Sequence, residues 1–203
     1  AVVFDDLFFV DDWNIDDVEK AFSPFYGRWN KNEFQSYLNK FNLNRKKKIK
    51  ECSKGMKLKL SLAVALSHQA RLLILDEPTS GLDPVARDEL LDILLEYIED
   101  ENNSILFSTH ITSDLDKIAD YLTIIDNGKV FYTGLKDKLF EKYCIIKGGV
   151  EDLTPDLEKR LIGLQKGNTV FSALLDVQDM GYISDHIVVE KATIDDILIH
   201  INK

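Results

Sequence analysis

Two acidic residues, Asp76 and Glu77, follow the apolar run Leu72-Leu73-Ile74-Leu75, and Pro78 closes the segment. A run of that kind, without alternation, reads as a strand buried on both faces of a parallel sheet. Its C-terminal end then lies at the sheet rim, where open α/β proteins bind ligands. There a carboxylate at 76 can hold Mg²⁺ through water, since that ion keeps several of its own waters. The neighbour at 77 can orient or deprotonate an attacking water, as phosphoryl transfer requires. Taken alone, an adjacent Asp-Glu pair reads as a solvated strand end.

The elements around this pair follow from spacing. The pattern predicts two helices and a turn over 18–41, with Pro24 and Gly27 as breakers, and a third helix over 56–68. Another helix is expected over 84–100, with Pro84 at its start. A second buried strand follows over 104–108, a short helix over 112–119, and a third strand over 121–125. Asn127-Gly128 is the dipeptide that a two-residue type I′ hairpin demands, with 129–133 as the returning strand. Beyond about Glu141, Thr154-Pro155 reads as a helix start and Thr193 with Asp196 as a capping box for a closing helix. Strands are expected over 169–175 and 186–189. The division that results is an α/β domain over 1–141, with a helical part at about 14–68, and a small α+β appendage over 142–203.

Bulk properties exclude several classes. The chain has 203 residues, 45% hydrophobic and 30% charged, with no internal repeat, which suits one folded domain with an appendage. A bilayer span needs about 20 consecutive apolar residues, and no run approaches that. A net charge of −10 argues against a nucleic-acid groove. Charge is nonetheless segregated. Residues 5–19 carry Asp5, Asp6, Asp11, Asp12, Asp16, Asp17 and Glu19, whereas residues 45–59 carry eight Lys or Arg. Both runs read as solvated faces, and the basic one also as an element meeting an anion such as nucleotide phosphate. Cys52 and Cys144 have no ligand spacing, so no structural zinc is expected and a reducing cytoplasm fits. The opening Ala-Val-Val-Phe has no charged n-region and does not read as a signal peptide; it reads as a truncated beginning.

The whole string from Leu72 to Pro84, LLILDEPTSGLDP, resembles the Walker B and D-loop segment of ATP-binding cassette (ABC) ATPases. Two further segments are similar to that family at the places it would put them. Cys52-Ser53-Lys54-Gly55-Met56 resembles the signature sequence in a variant common among exporters of the ABC-2 type. Ser53 and Gly55 keep its key positions, whereas Cys52 and Lys54 depart from the consensus Leu and Gly. A serine hydroxyl and free N–H groups at a helix N-terminus form an anion site for a γ-phosphate. His110, ending the strand before it, resembles the switch histidine that contacts the γ-phosphate. Val2-Val3-Phe4-Asp5 resembles the strand leading into the Q-loop, with Asp5 where the family usually has Gln. Asp5 can bind Mg²⁺ through water but cannot donate an amide hydrogen bond; a solvated loop acid is the competing reading.

The resemblance implies a P-loop NTPase (RecA-like) core, with Glu77 and His110 catalytic, Asp76 and Asp5 serving Mg²⁺, and ATP as the nucleotide. Ser53, Lys54, Gly55 and Met56 would act in trans, and Asp83 of the D-loop would lie at a head-to-tail interface. Homodimer and heterodimer both remain open. No GxxxxGK[ST] occurs in the 203 residues, so the family's P-loop is expected upstream of Ala1 and the fragment alone is expected to bind ATP poorly. The implied function is an ATPase subunit driving export through a separate transmembrane permease, on the cytoplasmic face of the membrane. Residues 13–29 are the candidate docking surface. The rivals are a soluble ABC ATPase of translation or DNA repair, and a non-catalytic regulatory protein without a P-loop.

Overall fold

The computed structural model describes residues 1–5 and 9–202; Asp6 of the acidic run lies outside them. The chain forms two compact units, Ala1–Ile118 and Ala119–Lys203.

The N-terminal unit is built on a parallel sheet in the order β1 (Val2–Val3), β2 (Leu72–Asp76), β3 (Ser104–Ser108). Register places Val2 beside Ile74, Ile74 beside Leu106, and Asp76 beside Ser108. Between β1 and β2 run α1 (Ile15–Phe22), α2 (Lys31–Lys40) and α3 (Lys54–Leu66). Each begins where a side chain accepts from first-turn N–H groups: Asn14 for α1, with Asp17 completing a capping box, Asn30 for α2 and Ser53 for α3. The cap at Ser53 starts α3 two residues earlier than the apolar stripe alone predicts. Phe34, Leu38, Ile15, Val18 and the C-terminal half of α3 close over Leu73 and Leu75 to form the core.

Joining β2 to β3 is α4 (Pro84–Ile98), with Asp83 as N-cap and Pro84 in its first turn, and α5 (Thr112–Ile118) follows β3. One expectation needs correcting. The sheet is buried on one face, not both: Leu73 and Leu75 are buried, whereas Leu72 is 47% and Leu106 61% exposed. The buried side is the one on which Leu73 and Leu75 meet the helices of the N-terminal unit.

In the C-terminal unit β4 (Tyr121–Asp126) and β5 (Lys129–Leu135) pair as an antiparallel hairpin. Asn127 at φ 45° and Gly128 at φ 74° supply the left-handed pair the turn needs. Then α6 (Lys136–Lys142) leads into β6 (Tyr143–Gly149). A four-stranded antiparallel sheet follows in the order β7 (Ile162–Lys166), β8 (Val170–Asp176), β6, β9 (Val188–Lys191). The short α7 (Pro155–Glu158) starts on the Thr154 cap, and α8 (Ile194–Ile201) on the Thr193–Asp196 capping box. Compactness divides the chain at 118/119, upstream of the 141/142 division read from motif density. The hairpin falls with the later residues because β5 runs directly into α6 and Phe131 stacks on Tyr143 at 5.5 Å.

Candidate functional site

The C-terminal ends of β2 and β3 bring three of the expected residues together. Asp76 is the last residue of β2, and its Oδ1 accepts from Ser108 Oγ at 2.7 Å. Glu77 comes next, at φ 46°, a left-handed conformation uncommon for a non-glycine residue. Its N–H faces the carbonyl and hydroxyl of Ser108 at 3.1 and 3.2 Å. The turn is closed by Ser80 N–H donating to the Glu77 carbonyl. Such a backbone costs on the order of 1–3 kcal/mol, held by what surrounds it. Here it swings the carboxylate off the strand axis and onto His110.

The Glu77 carboxylate lies 2.8 Å from His110 Nδ1 and accepts from the His110 backbone N–H at 3.4 Å. Glu77 is 28% and His110 71% exposed, so both reach solvent at the rim. A carboxylate beside an imidazole, next to a second carboxylate, can orient water and pass its proton. Asp76 is exposed and keeps one oxygen outside the Ser108 bond. That fits Mg²⁺, which takes one or two carboxylates and fills its shell with water and phosphate oxygens.

Two other groups are placed separately. The first turn of α3 carries the signature-like residues. Ser53 Oγ accepts from Met56 N–H at 3.2 Å, which leaves its proton free to donate. The N–H groups of Lys54 and Gly55 lie among those the helix itself cannot satisfy. Lys54 Nζ meets Asp5 Oδ1 at 2.6 Å, so two of the three positions that depart from the ABC consensus pair with each other. The carboxylate expected to serve Mg²⁺ thus already faces an ammonium. Asp83 Oδ1 accepts from the N–H groups of Val85 and Ala86 as the α4 cap.

Sequence reasoning passed over Ser108 and Asp114. Ser108 had a signal, since the register that ends both strands together puts it opposite Asp76. Asp114 is fully buried and accepts from Thr79 Oγ1 and Arg87 Nε, each at 2.5 Å. A lone acid one turn after His110 gives no local sign of that burial.

A family model described as "AAA domain, putative AbiEii toxin, Type IV TA system" matches residues 5–115, more than half of the chain. A lantibiotic transport ATP-binding protein of Streptococcus pyogenes is 42% identical over 95 residues, covering 46% of this chain and 41% of its own. The chain belongs to the ABC ATPase family. A methionine import ATP-binding protein of Staphylococcus epidermidis is 38% identical over 114 residues, 55% of this chain and 33% of its own. Among solved structures, an ATP-binding subunit of an ABC transporter superposes with a TM-score of 0.60 at 28% identity, covering 68% of this chain and 60% of that one. The fold is accordingly the P-loop NTPase fold of ABC ATP-binding subunits. This ABC chain spans about two-fifths or less of the curated relatives it matches. Among the described residues no helix is long and apolar enough to cross a membrane.

Proposed function

We propose that this chain is the hydrolytic part of an ABC exporter's ATPase subunit, in which Glu77 orients and deprotonates the attacking water. The observation that carries the reading is the Glu77 carboxylate held against the His110 imidazole, beside Asp76, at the sheet rim. Asp76 would hold Mg²⁺, which offsets charge on the phosphate oxygens when bound. His110, with its exposed ring, would donate to the terminal phosphate and report whether that phosphate is still attached. The first turn of α3 supports a role in trans: Ser53 and the free N–H groups of Lys54 and Gly55 form an anion site. In a head-to-tail dimer that site would close over a partner's nucleotide, with Asp83 at the interface. Asp5 would assist Mg²⁺ only after releasing Lys54.

Dimer closure would drive a separate permease, placing the subunit on the inner face of the membrane. Residues 13–29 are proposed as the contact. Phe25 is 84% exposed on the turn after α1, and its chain neighbours Phe22 and Tyr26 line an apolar cavity of about 240 Å³ with Val2, Phe4 and Phe9. An open patch of that kind suits a protein partner. Export rather than import is part of the proposal, because relatives named for methionine import match as well as one named for lantibiotic transport.

The deciding experiment is Glu77→Gln in the full-length protein. Phosphate release should fall by about 100-fold or more while ATP-dependent dimerisation persists. Normal hydrolysis by that variant would remove Glu77 as the base. Ser53→Arg should abolish hydrolysis by blocking closure, with the monomer still folded; unchanged turnover would count against the signature reading.

A further inference from the structure

Three segments that carry site residues meet at one buried carboxylate. Thr79 lies two residues beyond Glu77, in the turn whose Leu82 N–H donates to the Thr79 carbonyl. Arg87 lies four residues beyond Asp83, in the first turn of α4, with its N–H on the Asp83 carbonyl at 2.9 Å. Asp114 lies four residues beyond His110, and its N–H donates to the Ile111 carbonyl at 3.1 Å. The Asp114 carboxylate, with no exposed surface, joins all three. Oδ2 accepts from Thr79 Oγ1 at 2.5 Å, and Oδ1 accepts from Arg87 Nε and faces Nη2, both at 2.5 Å. Arg87 Nη2 also reaches Ser113 Oγ at 2.5 Å.

A buried ion pair is a poor device for stability alone, since well-packed apolar residues often do as well or better. What it does supply is geometry, because its donors and acceptors are satisfied in one arrangement only. We infer that Asp114 is a positioning residue for hydrolysis: its carboxylate fixes the turn behind Glu77, the helix behind Asp83 and the helix behind His110 as one rigid piece. The inference rests on the reading of Glu77 as the water-orienting base. It adds that the 2.8 Å approach of Glu77 to His110 is maintained from behind. It also gives the Asp83 end of α4 a direct path to that pair, so that whatever contacts Asp83 bears on the angle at which Glu77 presents its carboxylate.

The test compares Asp114→Asn, Asp114→Glu, Arg87→Lys and Thr79→Val with wild type in the full-length protein, by steady-state ATP hydrolysis and thermal unfolding. Asp114→Asn removes the charge and keeps the shape. It should lower kcat about tenfold to a hundredfold, the scale of loss when a reacting group is slightly misplaced. KM for ATP should change by less than about twofold, because Asp114 touches no nucleotide-binding group. Asp114→Glu, which keeps the charge, should recover part of the loss. Combining Asp114→Asn with Arg87→Lys should cost little beyond the worse single change, as residues acting as one unit do. If Asp114→Asn keeps wild-type kcat while Glu77→Gln is inactive, the inference is overturned and the base reading stands. If Glu77→Gln hydrolyses ATP normally, or wild type not at all, both fall. Loss of activity that merely tracks loss of folded protein in all four variants would also overturn it, leaving a structural ion pair.

Discussion

At the residue scale the candidate site was legible wherever a side chain's chemistry coincided with the end of a strand. Asp76, Glu77 and His110 each sit at such an end, and the parallel register of β2 and β3 brings them together. What stayed hidden were pairings between distant positions of the sequence: Lys54 with Asp5, and Asp114 with Thr79 and Arg87, which no local pattern encodes. Two ionisable groups outside the site make pH predictions. His68 stacks on Tyr26 at 4.1 Å with its Nε2 buried and unpartnered, and burial holds its pKa below the ordinary imidazole value. The folded state therefore favours neutral His68, and stability should be full above about pH 6.5 and decline as pH falls below it. His68→Phe keeps the stack and should flatten that part of a urea-midpoint profile; an unchanged slope would assign it elsewhere. Asp16 is drawn down to about 2 by Lys46 and Arg45. Its contribution is present above the ordinary carboxylate range and should disappear as pH drops from about 4 toward 2, a loss that Asp16→Asn should abolish.

Elements bounded by a cap, a proline or a turn dipeptide emerged from the sequence in nearly their final form, as with α4 behind Asp83-Pro84 and α8 behind Thr193. Those without such boundaries did not. The run Tyr143–Gly149 ends in Lys-Gly-Gly and has no alternation, so β6 gave no periodic signal although it is central to its sheet. In β7 the register shifts between Ile162 and Gln165, and Gly163 stands at φ 59°. A Cβ there would come within 1.8 Å of the His200 carbonyl oxygen, while His200 Nδ1 lies 2.7 Å from the Gly163 carbonyl. That backbone approach seats α8 on β7. Gly163→Ala should therefore destabilise the C-terminal unit by about 1–3 kcal/mol or more, through left-handed strain and overpacking together. Chemical denaturation would check it, and a change within error would mean α8 docks by other contacts.

For the whole molecule, two units with separate cores imply separate folding. Residues 119–203 expressed alone should unfold cooperatively around Cys144, Ile146, Phe171, Ala173 and Leu175. A gradual, non-cooperative melt would place the folding boundary elsewhere, for instance at 141/142. The 203 residues carry no phosphate cradle of the GxxxxGK[ST] kind, and titration calorimetry on them alone should find ATP affinity weaker than micromolar. The bare side of the parallel sheet, with Val2, Leu72 and Leu106 turned to water and the outer edge of β3 unpaired among the described residues, also sets handling behaviour. Such a face invites self-association. Concentrated solutions should scatter light increasingly as sulfate is added, since excluded salts favour apolar contact, and a single lysine in place of Leu106 should clear them.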